Sequence, residues 1–330
     1  MGSPSESSAP PRSWLDRFGW AIPLGCGAMV GIALRLFFSG TPGEPYAAMM
    51  SSFTLLVPVV VGAVTVYLAE LTARRSWSYY FFAAALANLL LVVGTMVIRV
   101  EGLICVILVL PLFVVLGGFG GLLMGVICRR TNWPRRAIYS ITVLPLLLGG
   151  LEQRLPLPQD LTSVERSVVV AANPEVIWAQ LTVAKEIRPD EIGNAWMYRI
   201  GVPLPTSAIT TEANGVEVRH ITMGKGIHFD QIAADWQPNR HVRWQYHFSG
   251  DSFPQGSLDD HVRIGGAYFD VIDTDYTIAR VAAGTELRVR MHYRVSTPFN
   301  WYTRPIAEFL VDNFEENALR FYERRAENVR

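Results

Sequence analysis

Hydrophobic and polar positions follow two different patterns in the two halves of the chain. Before residue 152 the apolar residues form long stretches with few interruptions, and after residue 164 apolar and polar residues alternate between turn signals. A bilayer core about 30 Å thick needs about 20 helical residues to cross it, so the first pattern predicts membrane-spanning helices. Alternation with a period of two predicts strands that bury one face.

Five apolar stretches predict a transmembrane domain of about five helices over residues 18–152. They cover residues 20–38, 47–71, 79–98, 102–128 and 137–151. The first four are long enough to cross a bilayer, whereas the fifth, with about 15 residues, is marginal in length. Residues 1–17 begin with a Ser- and Pro-rich run and lack the features of a cleaved signal peptide, so they predict a disordered N-terminal tail.

Basic residues near the ends of the spans predict the orientation, because they favour the cytoplasmic side. They occur in the tail and in the connections at 72–78 and 129–136, whereas the connection at 39–46 contains Glu44 and no basic residue. With five spans the chain after residue 152 is extracytoplasmic, and with four it is cytoplasmic. We therefore expect an integral inner (plasma) membrane protein of bacterial type, with an extracytoplasmic C-terminal domain if the fifth stretch crosses.

Gly117, Gly121 and Gly125 lie four residues apart in the fourth stretch. Small residues at this spacing let helix backbones approach closely. Two interpretations are open at this point: self-association of the protein through these glycines, and packing between helices of one chain.

The second half predicts an α+β domain over residues 164–330, after a linker at 153–163 that Pro156 and Pro158 keep extended. Asn173 and Pro174 predict the start of a short helix, and the segment after Pro298 predicts a long amphipathic helix. Strands are predicted near 164–171, 216–223, 226–236, 241–248, 266–273, 276–281 and 285–295. The expected fold class is a curved antiparallel sheet wrapped around a long C-terminal helix, joined to a membrane α-helical bundle.

Three segments of the second half carry a resemblance to a known superfamily. They are the opening Val168–Trp178, the turn Asp235-Trp236-Gln237-Pro238-Asn239-Arg240 before an aromatic strand, and the segment Gly265–Asp270. With the order of elements, they resemble the START-like, or helix-grip, superfamily, also called SRPBCC or polyketide cyclase/dehydrase-like. The resemblance covers about residues 164–328 and none of the membrane half.

This resemblance implies a cavity between the sheet and the closing helix that suits a small hydrophobic ligand. Strand and helix periodicity then assign side chains to its wall. The candidate lining residues are Trp244, Tyr246, Phe248, Met291 and Tyr293 on the sheet, and Phe309, Asn313 and Phe314 on the helix. A sheet packed on a helix buries its inner face in any case, so a structural role is the alternative for each of them.

Two residues, His220 and Tyr246, are candidates for catalysis. His220 alternates with Val216 and so is expected to face inward, where an imidazole either acts as a general base or is simply hydrogen-bonded in the core. His228 and Asp230 share a strand face, but two ligands do not make a metal site, so no metal and no cofactor are expected. Phosphate-loop, nucleophile-elbow and Cys-x-x-Cys motifs are absent from the sequence.

The charge balance and the two patterns of apolar residues together limit the function. The chain carries 29 Lys and Arg against 29 Asp and Glu, which removes the electrostatic argument for a nucleic-acid partner. We expect a membrane-anchored protein whose helix-grip domain binds or transfers a small hydrophobic ligand, such as a lipid, sterol, quinone or polyketide-like molecule. The alternatives are a cyclase or aromatase-type enzyme and a membrane sensor of such a ligand. The expected partners are that ligand and the bilayer.

Overall fold

A computed structural model describes residues 20–41, 44–131, 134–259 and 261–328. The predicted tail at 1–17 lies outside these residues. The chain divides into two compact units, one containing most of the chain before residue 154 and the other containing Arg154–Arg330 with two short earlier segments. The main boundary therefore falls at the start of the predicted linker.

Apolar helices make up most of the described chain before residue 153. They are α1 (Ala21–Phe37), α2 (Ser51–Thr54), α3 (Leu56–Glu70), α4 (Trp77–Val97), α5 (Leu103–Arg130) and α6 (Pro134–Glu152). Three segments are long and apolar enough to cross a membrane: Ser51–Glu70 with 20 residues, α4 with 21 and α5 with 28. The apolar helix α1 has only 17 residues, and α6 begins with Arg135 and Arg136 after its first residue. Membrane crossing by α1 and α6, and the orientation of the chain, stay predictions.

The three glycines of α5 face other parts of the same bundle. A Cβ on Gly117 would lie 2.0 Å from Nδ2 of Asn88, and one on Gly121 would lie 2.2 Å from the carbonyl oxygen of Tyr80. A Cβ on Gly125 would lie 2.3 Å from the ring of Tyr80. Packing within one chain therefore requires these small residues, and self-association through them stays a prediction.

The second unit is built on one antiparallel sheet of eight strands. They are β1 (Asp160–Val170), β2 (Val183–Ala184), β3 (Pro205–Ala213), β4 (Val216–Met223), β5 (His228–Gln237), β6 (His241–His247), β7 (Phe269–Val281) and β8 (Gly284–Val295). Their order in the sheet is β1-β8-β7-β6-β5-β4-β3-β2, and neighbours run antiparallel. The first strand in sequence thus pairs with the last.

A long helix closes the inner face of this sheet. The helices after residue 153 are α7 (Pro174–Thr182), α8 (Pro189–Ile192), α9 (Trp196–Arg199) and α10 (Asn300–Glu327). Leu319 and Tyr322 of α10 share one buried apolar cluster with Ile177 of α7, Trp244 of β6 and Leu287 of β8. The expected fold class is confirmed: a curled antiparallel half-barrel holds a long C-terminal helix.

The structure corrects three sequence-based element assignments. β1 begins at Asp160, so residues 160–163, predicted as linker, belong to the strand. The strands predicted at 266–273 and 276–281 are one strand, β7, whose pairing register shifts between Val271 and Asp273. β3 was not predicted, because its small and polar residues lack a clear apolar alternation.

Candidate functional site

The inner face of the sheet carries most of the predicted aromatic and apolar side chains. Val242 and Trp244 of β6 are fully buried, and so are Leu287 and Tyr293 of β8. Met291, between Leu287 and Tyr293 on β8, is also buried. The inward orientation predicted for alternate residues of β6 and β8 is therefore confirmed.

A charged side chain, Arg219 of β4, lies inside this apolar interior and is only 4% exposed. Its Nη2 donates to the hydroxyl of Tyr322 on α10 at 2.7 Å, and its Nη1 donates to Oε1 of Gln231 on β5 at 3.4 Å. The guanidinium carbon lies 5.9 Å from the ring centroid of Trp244. Arginine stays protonated at all physiological pH values, so the interior contains a full positive charge.

Both hydrogen-bond partners of Arg219 are uncharged groups. Its Nε is buried and has no hydrogen-bond partner among the described residues. No carboxylate among the described residues lies within ion-pair distance of the guanidinium. A buried charge without a counterion loses its hydration energy without compensation, so this arrangement lowers the free energy of unfolding.

Two tyrosines, Tyr198 and Tyr246, lie at the edge of this interior. Burial raises the pKa of Tyr198 and of Tyr246, which shows that protein surrounds both phenols. Both residues nevertheless keep some accessible surface, so their side chains lie at the edge of the interior, and the cavity expected there stays a prediction. The positive charge of Arg219 acts on the pKa of Tyr246 in the opposite direction to burial, which places Arg219 near Tyr246. The Tyr198 ring lies 6.4 Å from Phe314 and the Tyr246 ring 5.8 Å from Phe229.

A second ionisable group, Glu315 of α10, is also buried without compensation. It is 0% exposed, and neither carboxyl oxygen forms a hydrogen bond of ordinary geometry with any described residue. Burial raises its pKa to about 9, although the nearby backbone N–H of Met291 acts in the opposite direction. At neutral pH the side chain is therefore an uncharged carboxylic acid. The buried hydroxyl of Tyr293 likewise lacks a partner among the described residues, and burial raises its pKa to about 12.

The other predicted lining residues divide between the interior and the surface. Phe248 and Phe314 are partly buried and pack against the apolar clusters of the inner face. Asn313 accepts the backbone N–H of Trp196 at 2.8 Å and so holds α9 against α10. Phe309 is 52% exposed, with its ring 6.4 Å from that of Trp196. Direct contact of any of these residues with a ligand stays a prediction.

The predicted orientation of His220 is wrong. Its side chain is 53% exposed on the outer face of β4, where Nδ1 lies 2.7 Å from Asp230 and Nε2 lies 3.0 Å from Thr211. Arg219 and Ile221 face inward instead. Val216 and Val218, on the same strand face as His220, led to the prediction that this face points inward. They lie next to the β3–β4 turn, however, and are not buried.

A group of polar side chains also occupies the outer face of β7 and β8. Asp273, Asp275 and His292 bring potential ligand atoms within 4.8 Å of one another. His292 lies 2.6 Å from Asp273, while Asp275 accepts hydrogen bonds from His241 and Arg243, each at 2.9 Å. Each carboxylate therefore already has a donor from the protein.

The sequence reasoning missed Arg219, Glu315 and Tyr322. A helical signal for two of them was present, because Glu315 and Tyr322 are seven residues apart and so share a face with Val311 and Ala318. The side chains predicted to line the cavity from this helix, Phe309, Asn313 and Phe314, instead lie on other faces of α10. For Arg219 the sequence contained no such signal, since an arginine inside an apolar strand face contradicts the alternation rule.

Comparisons with known proteins give fold neighbours only. No family model and no curated protein matches the chain. Among solved structures, an aromatase/cyclase from Streptomyces sp. R1128 is 16% identical, with 52% of this chain and 97% of that chain covered and a TM-score of 0.32. A START superfamily protein from Mycobacterium smegmatis is 17% identical, with 51% and 99% covered and a TM-score of 0.30.

A third match, to a di-domain aromatase/cyclase from the steffimycin biosynthetic pathway, is 10% identical, covers 60% of this chain and 62% of that one, and has a TM-score of 0.33. At these scores the matches carry no argument about ligand or reaction. The START-like resemblance is confirmed as a likeness of fold, which the strand order and the closing helix define.

Proposed function

We propose that this chain is a membrane-anchored protein whose C-terminal helix-grip domain binds or transfers a small hydrophobic ligand. The observation that carries the proposal is Arg219, a buried charge with unpaired donors beside the aromatic side chains Trp244 and Tyr246 of the inner face. An interior that serves only to pack the sheet on the helix gains nothing from such a group. A ligand with an apolar body and a polar end would fill the cavity that the helix-grip resemblance implies between the sheet and α10, and would use the unpaired donors.

The apolar helices support the anchoring, and the distribution of basic residues supports an extracytoplasmic position of the ligand-binding domain in an inner membrane. With the basic connections at 72–78 and 129–136 on the cytoplasmic side, that position requires α6 to cross, and a cytoplasmic N-terminal tail requires α1 to cross as well. At 1.5 Å per residue they are about 25 and 28 Å long, slightly less than a bilayer core of about 30 Å. Alkaline phosphatase and green fluorescent protein fused after Arg330 test this orientation. Phosphatase activity supports it, and fluorescence alone contradicts it.

Native mass spectrometry of the full chain, extracted in a mild detergent, tests ligand binding directly. We expect a discrete apolar mass to remain bound to the protein. A matched control is the chain truncated after Gln153, which retains the apolar helices and any bilayer lipids that they hold. A mass found on the full chain and absent from the control supports the proposal. Identical bound masses on both proteins, or none on either, contradict it.

A further inference from the structure

We infer that the ligand is an anionic amphiphile, an apolar molecule that ends in a negatively charged oxygen group, and that this group binds Arg219 inside the domain. The inference rests on the proposed function and specifies its ligand class. It follows from the charge of the interior, from the unpaired donors of Arg219 and from the position of Arg219 beside Trp244 and Tyr246 of the aromatic inner face.

The first step concerns the charge of the interior. The phenols nearest to Arg219 belong to Tyr322, Tyr276 and Tyr246. Burial raises the pKa values of Tyr276 and Tyr246, so these phenols remain uncharged at neutral pH. Glu315, on the same helix face as Tyr322, is an uncharged acid at that pH. The described interior therefore has one positive charge and no anion to balance it.

The second step concerns the donors that remain free. A guanidinium has five N–H groups in a rigid fork that matches the two oxygens of a carboxylate. Tyr322 takes one of these donors, and Gln231 takes another at the long distance of 3.4 Å. The Nε–H group has no partner among the described residues. The other N–H groups of Arg219 therefore lack an acceptor among the described residues.

The third step decides between ligand classes. A neutral alcohol or ketone would accept a hydrogen bond but would leave the buried charge unbalanced, and an amine would add a second positive charge. A carboxylate supplies both the acceptor oxygens and the missing charge. The aromatic surroundings, Trp244, Tyr246 and Phe229, suit the apolar part of such a molecule.

The experiment compares three probes that share one alkyl chain and differ only in the end group: dodecanoate, 1-dodecanol and dodecylammonium. The full chain is placed in nanodiscs of neutral phosphatidylcholine at pH 7. Bound probe is measured by equilibrium dialysis, with empty nanodiscs correcting for partition into the lipid. We expect dodecanoate to bind at least about tenfold more tightly than dodecanol, as is typical of a hydrogen-bonded charge pair, and dodecylammonium to bind least.

Variants of Arg219 test whether this residue is the source of the preference. In Arg219→Met the affinity for dodecanoate should fall to that for dodecanol, while dodecanol binding is retained. Tyr322→Phe removes a neutral partner and keeps the charge, so its preference for dodecanoate should remain. Arg166→Gln is the matched control, because Arg166 is half exposed and already forms a two-bond ion pair with Asp312.

The outcomes separate this inference from the proposed function. Equal binding of dodecanoate and dodecanol by the wild type, or a preference that survives in Arg219→Met, overturns the inference and leaves hydrophobic-ligand binding standing. Binding of none of the three probes counts against the proposed function and the inference together. If Arg219→Met does not fold, the wild-type ranking of the three probes and the result with Tyr322→Phe decide the question.

Discussion

Replacing Glu315 by Gln should make the protein more stable, by an amount that grows with pH. The usual pKa of a glutamate is 4.5, and burial raises that of Glu315 to about 9 in the folded protein. Between these two values the unfolded chain releases the proton while the folded chain keeps it. Folding must then take up a proton, so the free energy of unfolding falls as pH rises. The glutamine side chain does not titrate and is free of this penalty.

The size of the effect follows from the two pKa values. Each unit of difference corresponds to about 1.4 kcal/mol, so at pH 7 the wild type should lose roughly 3 kcal/mol relative to its stability below pH 4.5. The stability difference between Glu315→Gln and the wild type should therefore widen by roughly 3 kcal/mol between pH 6 and pH 8. Above about pH 9 the difference should become constant.

Hydrogen exchange of the full chain in neutral detergent, measured over a urea series, provides the assay. The slowest amides of peptides from β7 and β8 report unfolding of the sheet and not of the apolar helices. Glu316→Gln is the matched control, because Glu316 is partly exposed and pairs with Arg320 one turn along the helix. Such a surface pair contributes only about 0.5 kcal/mol. A stability difference between Glu315→Gln and the wild type that is independent of pH from 6 to 8 would refute the reasoning.

Three further substitutions test other parts of the second unit. Gly284→Ala should destabilise it by about 1–3 kcal/mol in thermal unfolding, because Gly284 has a φ of 147° and a Cβ would lie 2.7 Å from the carbonyl oxygen of Val170. Arg325→Ala removes two hydrogen bonds to Glu191, at 2.8 and 2.9 Å, and should speed hydrogen exchange in α8 while the sheet stays protected. His220→Ala should leave dodecanoate binding and unfolding within about 0.5 kcal/mol of the wild type, because its side chain faces solvent, and a larger loss of binding would contradict that placement.

The parts of the fold that the sequence predicted are those where burial and alternation agree. In β8 every second residue from Leu287 to Val295 is apolar and buried, so the inner face could be assigned without a structure. β4 has the same alternation, but its first valines lie at a hairpin end where burial is incomplete, and the assigned face was wrong. Periodicity predicts which face of a strand is buried only where the strand lies far enough inside the sheet for one face to be excluded from solvent.

The candidate site could not be predicted by the same rules, because its main residues break them. An alternation rule excludes Arg219 from the inner face, and an amphipathic helix rule places Glu315 in water. Only the packing of α10 against the sheet brings both into the interior. Buried ionisable residues that break these local rules and have no counterion in the described protein are the positions where selection for function is expected to outweigh selection for stability.

The two buried ionisable groups, Glu315 and Arg219, both act on the pKa of Tyr276 and so lie in the same part of the interior. Glu315 and Tyr322, the partner of Arg219, are seven residues apart on α10, or about 10 Å along the helix axis. Taking this axial spacing as the separation between Glu315 and the guanidinium bound to Tyr322, two unit charges interact by about 1–2 kcal/mol at an effective dielectric constant of 20. While Glu315 is protonated, the interior attracts an anion; once it ionises above about pH 9, it supplies the missing negative charge itself and repels the ligand. Dodecanoate affinity should then fall roughly tenfold between pH 8 and pH 10. The same titration in Glu315→Gln should be flat, and an equal fall in that variant would show that Glu315 has no part in it.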